Sequence, residues 1–90
     1  MANIVNHLSF SAVASAASAS TSINCREILL LKNDGATPIE FGFDNPVASG
    51  NVILLNTGES MENITIAATT MYYMASAETT FRFLGLKSLI

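Results

Sequence analysis

Few side chains in this 90-residue chain could do chemistry. His7 is the single histidine and Cys25 the single cysteine, so a thiolate–imidazole pair exists only if folding joins these two. Such a pair needs an activating charge for the thiol and a third group to orient the ring. The sequence identifies neither, and the expectation for Cys25 is a buried, unreactive thiol. A zinc site built on one His and one Cys would have to take its other ligands from carboxylates. Glu59 with Glu62, and Asp34 with Glu40, are pairs that acid–base work or calcium could use. They sit by turn signals, without the Asp-x-Asp-x-Asp spacing of a calcium loop, and read as solvated turn residues. Gly35, Gly42, Gly50, Gly58 and Gly85 are scattered beside turns or breaks in alternation, and none forms a phosphate loop after a strand. The expectation is a chain with no catalytic group, no cofactor and no metal.

Two features remain. Asn63-Ile64-Thr65 fits the N-glycosylation sequon, which acts only in an exported chain. Tyr72 and Tyr73 are adjacent, so on a strand one faces the core and the other faces out. The outward ring could anchor an interface or stack on a sugar. With no Trp in the chain, the sugar reading has no second aromatic of that kind beside it.

Charge narrows the partners. The formal net charge is −3, and Arg26, Lys32, Arg82 and Lys87 are the only Lys or Arg residues. They form no run or stripe that could neutralise phosphates, so nucleic acid is not expected. No segment reaches the ~18 consecutive apolar residues that a membrane-spanning helix requires. The first 24 residues carry no Lys or Arg, and Asn3, Asn6, His7, Ser9 and Ser11 interrupt their apolar residues. A secretory signal needs a basic start and an unbroken apolar core, so export by this route is not expected. With one cysteine, the fold does not depend on an oxidising compartment.

Size argues for association. A 9.5 kDa chain leaves roughly 5,000 Å² exposed when folded, against roughly 14,000 Å² when extended. That burial is marginal for a free monomer. Half the residues are hydrophobic and 12% are charged, although alanine inflates the first figure. The surplus of apolar surface predicts contacts with copies of the chain or with a larger surface.

The elements that would hold these residues read as strands. Residues 27–32 suit a strand, Asn33-Asp34-Gly35 signals a turn, and after Pro38 the residues Ile39, Phe41 and Phe43 alternate with Glu40 and Gly42. Gly42 leaves room on the outer face for a close neighbour. Residues 44–51 form a second turn region around Pro46 and Gly50. A short strand follows in Val-Ile-Leu-Leu-Asn at 52–56, and then a turn at Asn56-Thr57-Gly58-Glu59. Residues 60–69 alternate with Met61, Ile64 and Ile66 inward, and Asn63 marks a bulge or bend. Residues 70–76 and 79–86 make a last strand pair around a hairpin loop, with Phe81 and Phe83 on one face and Arg82 on the other. No helical stripe follows Asn24. Short strands between regular turn signals predict an all-β fold, a small antiparallel β-sandwich, jelly-roll-like or immunoglobulin-like, of about seven to eight short strands.

Residues 1–24 are harder to place. A leading strand at 8–14 and then an Ala/Ser-rich connection or arm, entering the sandwich at Cys25-Arg26-Glu27, is the favoured reading. A short helix at 12–19 stays open because alanine favours helix. The whole chain is read as one β domain.

Cys25-Arg26-Glu27, Asn33-Asp34-Gly35, Gly42-Phe43-Asp44, Gly58-Glu59-Ser60 and the aromatic strand pair at 71–86 together resemble a group of small virion proteins of tailed bacteriophages. The likeness covers about two-thirds of the chain and rests on turn chemistry. It implies a non-enzymatic structural protein of the virion, assembled in the host bacterial cytoplasm. Such proteins serve as capsid decoration or cement on the head, or as neck, tail or fibre parts. The implied partners are the major capsid protein or another virion protein, and copies of the chain itself, with neither nucleic acid nor membrane. The Ala/Ser-rich segment before Cys25 departs from that pattern. A module that contacts host-surface glycans through Tyr72 or Tyr73 is the alternative from a different class.

Overall fold

A computed structural model describes residues 7–47 and 50–87. Every regular element in it is a strand: β1 (His7–Ala14), β2 (Ala19–Asn33), β3 (Ile39–Phe43), β4 (Ile53–Leu55), β5 (Ser60–Ala75) and β6 (Thr79–Lys87). They form one antiparallel sheet in the order β1-β6-β2-β5-β3-β4. The all-β, antiparallel fold is as the alternation predicts. The strands are fewer than about seven to eight, because residues 60–75 form one strand of 16 residues where the sequence reads as two. Of the turn region at 44–51, Ala48 and Ser49 lie outside the described residues, as do the first six residues of the segment weighed as an export signal.

The sheet bends back on itself along β2 and β5. The first part of β2 (Ala19 to Ser22) pairs with Tyr73 to Thr70, while Cys25 to Lys32 pairs with Ala68 to Ser60. Only the later part of β2 also pairs with β6, and only the end of β5 pairs with β3. The register shifts between Ser22 and Cys25 and again between Cys25 and Glu27. There Asn24 takes a φ of 47°, a left-handed conformation that asparagine accepts more readily than most residues. Such bulges add twist and let a strand change direction. Phe41 of β3 then meets Phe81 of β6 edge-on, with ring centroids 5.1 Å apart, although two strands separate β3 from β6 in the sheet. The core is thus a layer between two halves of one sheet, built from Ile23, Cys25, Ile28, Leu31, Ile39, Phe41, Met71, Phe81 and Phe83, each at most 1% exposed.

The Ala/Ser segment is the main correction. Only residues 15–18 connect β1 to β2; Ala19 to Ser22 are strand, and neither arm nor helix forms. Alanine and serine have weak strand preference alone, but here they lie opposite large rings. Ala19 faces Tyr73 and Ser20 faces Tyr72, so the tertiary pairing decides. The leading strand at 8–14 is present as β1.

The connections also differ from expectation. Only β3 and β4 are neighbours both in sequence and in the sheet. The turn at 33–35 and the loop at 76–78 therefore close no hairpin; each crosses to a strand in the other half. Asn33 explains the first crossing. It is fully buried, and its amide donates to the carbonyls of Thr37 and Leu55 at 2.8 and 3.0 Å, while its Oδ1 accepts from the Gly35 N–H at 2.9 Å and the Thr79 hydroxyl at 3.3 Å. The two crossing loops meet at Gly35, where a Cβ would lie 1.7 Å from Thr79 Oγ1. Of the residues expected inward on β5, Met61 and Ile66 pack on the core, but Ile64 is 38% exposed. Asn63 has a φ of 54° just before it, and β3 pairs only with Met71 to Ala75, so this part of β5 lies at the margin of the sheet.

Candidate functional site

The tyrosines separate as adjacent strand residues must. Tyr73 packs against the core and meets Phe81 edge-on at 4.9 Å between centroids. Tyr72 is half-buried on the opposite face, between Ser20 and Gly42 on the flanking strands. The space beside Gly42 is taken by the chain's own turn, since a Cβ there would lie 2.0 Å from the Asn45 carbonyl oxygen. Of the two rings, only Tyr72 is placed for an outside contact. Its nearest outward apolar neighbours follow from register: Met74 on β5 and Leu54 on β4 both lie level with Glu40. Leu54 is 53% exposed, and Ile53 beside it on β4 is 37% exposed.

The turn next to this face is held by Asp44. Its Oδ1 accepts from the N–H of Thr70 at 2.9 Å, the N–H of Thr69 at 3.0 Å and the hydroxyl of Thr69 at 2.8 Å. These donors hold the carboxyl below the ordinary aspartate range, the Thr70 N–H foremost. Asp44 has a φ of 60°; its N–H donates to the Thr70 carbonyl at 2.8 Å. Sequence reading placed a turn here but missed the clamp, whose signal is an Asp directly after an alternating strand and before Asn-Pro.

The other reactive groups do not converge on one site. His7 is exposed at the start of β1 and Cys25 is buried in β2, with β6 between those strands, a separation of about two strand spacings, or ~10 Å. The structure does not bring them together. The Cys25 thiol donates to the Ile23 carbonyl at 3.3 Å, and burial pushes its pKa up, partly offset by the charge of Lys87. Glu59 accepts from the Asn56 N–H at 2.7 Å and Glu62 from the Ser60 hydroxyl at 3.1 Å, so each closes its own turn or strand start. Asp34 pairs with Arg82 through Nε at 2.5 Å and the second guanidinium nitrogen at 3.1 Å, not with Glu40. Among the described residues no three His, Cys, Asp or Glu side chains gather as a metal site would need, and no helix is long and apolar enough to cross a membrane.

On the far half of the sheet, a groove of about 410 Å³ runs over β1, β6 and β2, lined by Ser9, Ser11, Leu30, Arg82 and Leu84 with Phe10 and Phe83. It is open, and its one charged group is already paired with Asp34. The arrangement offers surfaces for contact: the Leu54–Met74–Tyr72 face, the short edge β4 and the long edge β1. No family of known proteins matches the chain, and neither a curated protein nor a solved structure matches it.

Proposed function

We propose that this chain is a non-enzymatic structural subunit of a tailed-phage virion, seated on the head as a decoration or cement protein. The outward Leu54 on the edge strand β4, 53% exposed, carries this reading. An apolar side chain on the outer face favours burial against a neighbouring surface. The resemblance of the turn motifs to small virion proteins supports the setting, and the major capsid protein is the partner it implies. Covering the exposed part of Leu54 gains only about 1 kcal/mol per copy. The gain comes from repetition, because copies spread over a shell resist disassembly together.

Quantitative mass spectrometry of intact particles tests this. Many copies per particle, released together with loss of resistance to heat or chelator, support the head position. A copy number that matches a single ring would move the subunit to the neck, tail or a fibre. Absence from purified particles, with no affinity of the free chain for them, would sink the virion reading altogether.

A further inference from the structure

The sheet has four free margins among the described residues, and they differ in how they treat their unpaired backbone groups. One is the first part of β2, where Ala19 to Ser22 pair only with β5 and stop before the left-handed Asn24. β4 is three residues long. The outer part of β5, before Met71, carries Glu62 and the left-handed Asn63. Short length, charge and a local kink are the means by which edge strands avoid pairing with other chains. β1 has none of them. Its eight residues, His-Leu-Ser-Phe-Ser-Ala-Val-Ala, contain no Asp, Glu, Lys, Arg or Pro. It pairs with β6 from His7 to Ala14 without a register shift, so its other side is straight and unprotected. Its inward residues Leu8, Phe10 and Ala12 pack on the core yet stay only partly buried. Phe10 stacks on Phe83 at 5.2 Å and meets Phe81 at 6.2 Å, both rings on the β6 side.

We propose that two copies of this chain join β1 to β1, antiparallel about a two-fold axis normal to the sheet, so that their sheets continue as one. The chemistry selects a second copy as the occupant. The chain is acidic overall, but β1 itself brings no Asp, Glu, Lys or Arg to the seam, so two copies meet there without like-charge contact between those residues. A two-fold axis normal to the sheet keeps each copy's inner face on the same side. Leu8, Phe10 and Ala12 of one copy then lie beside those of the other and cover their exposed remainder. Ser9 and Ser11 line up on the outer face, where paired hydroxyls suit cross-strand positions. The biological use of this seam rests on the assembly reading above, while the pairing is a property of the free chain. β4 remains open for a different surface, so each contact can fail without the other.

The full chain is followed by sedimentation velocity over a wide concentration range. A reversible monomer–dimer equilibrium is expected, with β1 amides exchanging more slowly as concentration rises. Ser9→Lys with Ser11→Lys places charges on outward positions and leaves the core alone. That variant should unfold within a few degrees of the dilute wild type, the lysine at position 11 lying across from Arg82. It should raise the dimer dissociation constant by about tenfold or more, as like charges across a strand pair repel. The matching Ser9→Glu/Ser11→Glu variant should behave alike, and mixing the two should restore dimers. A wild type that stays monomeric, a lysine variant that dimerises as well as wild type, or a mixture that stays monomeric would each overturn the β1 seam. Particle binding, measured separately, reports on the virion reading alone.

Discussion

Asn33 donates its side-chain amide to the carbonyl of Leu55 at 3.0 Å, joining the end of β2 to edge strand β4 across 22 positions of sequence. The same side chain holds Thr37, Gly35 and Thr79, so one buried residue fixes both crossing loops and the strand that carries Ile53 and Leu54. Its backbone takes part as well: the Asn33 N–H donates to Glu59 and its carbonyl accepts from Gly58, at 3.1 and 3.0 Å.

Asn33→Ala should therefore cost about 2 to 4 kcal/mol, because buried carbonyls and a hydroxyl lose their partner at once. Urea unfolding of the purified chain measures it. Thr79→Val, which removes only the longest of these bonds, should cost about 1 kcal/mol. Equal losses for the two variants would show that Asn33 is not the tie between the loops.

Gly85 and Cys25 make a second coupled pair. A Cβ on Gly85 would lie 2.9 Å from the Cys25 sulfur and 2.8 Å from the Phe83 ring, and all three residues are buried. Gly85→Ala should destabilise by about 1 to 3 kcal/mol through overpacking. Cys25→Ala in the same chain should recover part of that loss, since it removes one of the two obstacles. A double-mutant cycle reads the coupling, and strict additivity would refute the contact.

Asp44 gives the chain a pH dependence whose sign follows from its donors. The Thr70 and Thr69 groups hold its native carboxyl below the ordinary value, while the unfolded chain titrates near about 3.9. Between those two values the unfolded state binds more protons, so stability rises with pH there. The contribution is complete above the unfolded value and is lost as pH falls through the native one. Because the group is exposed, the effect is small. Asp44→Asn should flatten this part of the acid limb in a stability–pH series, and an Asp44 carboxyl titrating at the ordinary value by NMR would contradict the clamp.

What could be read from the sequence was local. The period-two alternation of Ile39 with Phe41, and of Phe81 with Phe83, set the core face of β3 and β6 because facing alternates along any strand. The Asn33-Asp34-Gly35 turn was legible as a turn, but the Asn33 side chain looks the same in a hairpin and in a crossing. Its partners Leu55 and Thr79 lie far along the chain. Ala19 to Ser22 failed for the same reason: their strand conformation comes from Tyr72 and Tyr73 opposite them, not from their own preference. For the site, the opposite facing of the two tyrosines was legible. Which one points outward was not, since that depends on the distant ring of Phe81.

That facing predicts two distinct outcomes for alanine at adjacent positions. Tyr73→Ala removes a ring packed on Phe81 and the core and should cost about 2 to 4 kcal/mol, scaled down from full aromatic deletion because Tyr73 is only partly buried. Tyr73→Phe keeps the ring and should stay within about 1 kcal/mol of wild type. Tyr72→Ala strips an outward, half-buried ring between Ser20 and Gly42 and should cost no more than about 1 kcal/mol. If the chain is the virion subunit proposed above, the folded Tyr72 variant separates the two uses of an outward tyrosine. Weaker binding to particles with host attachment intact places Tyr72 in an assembly contact alongside Leu54. Lost attachment to host cells with normal assembly places it against a glycan, and in that case Leu54→Ser should leave attachment unchanged.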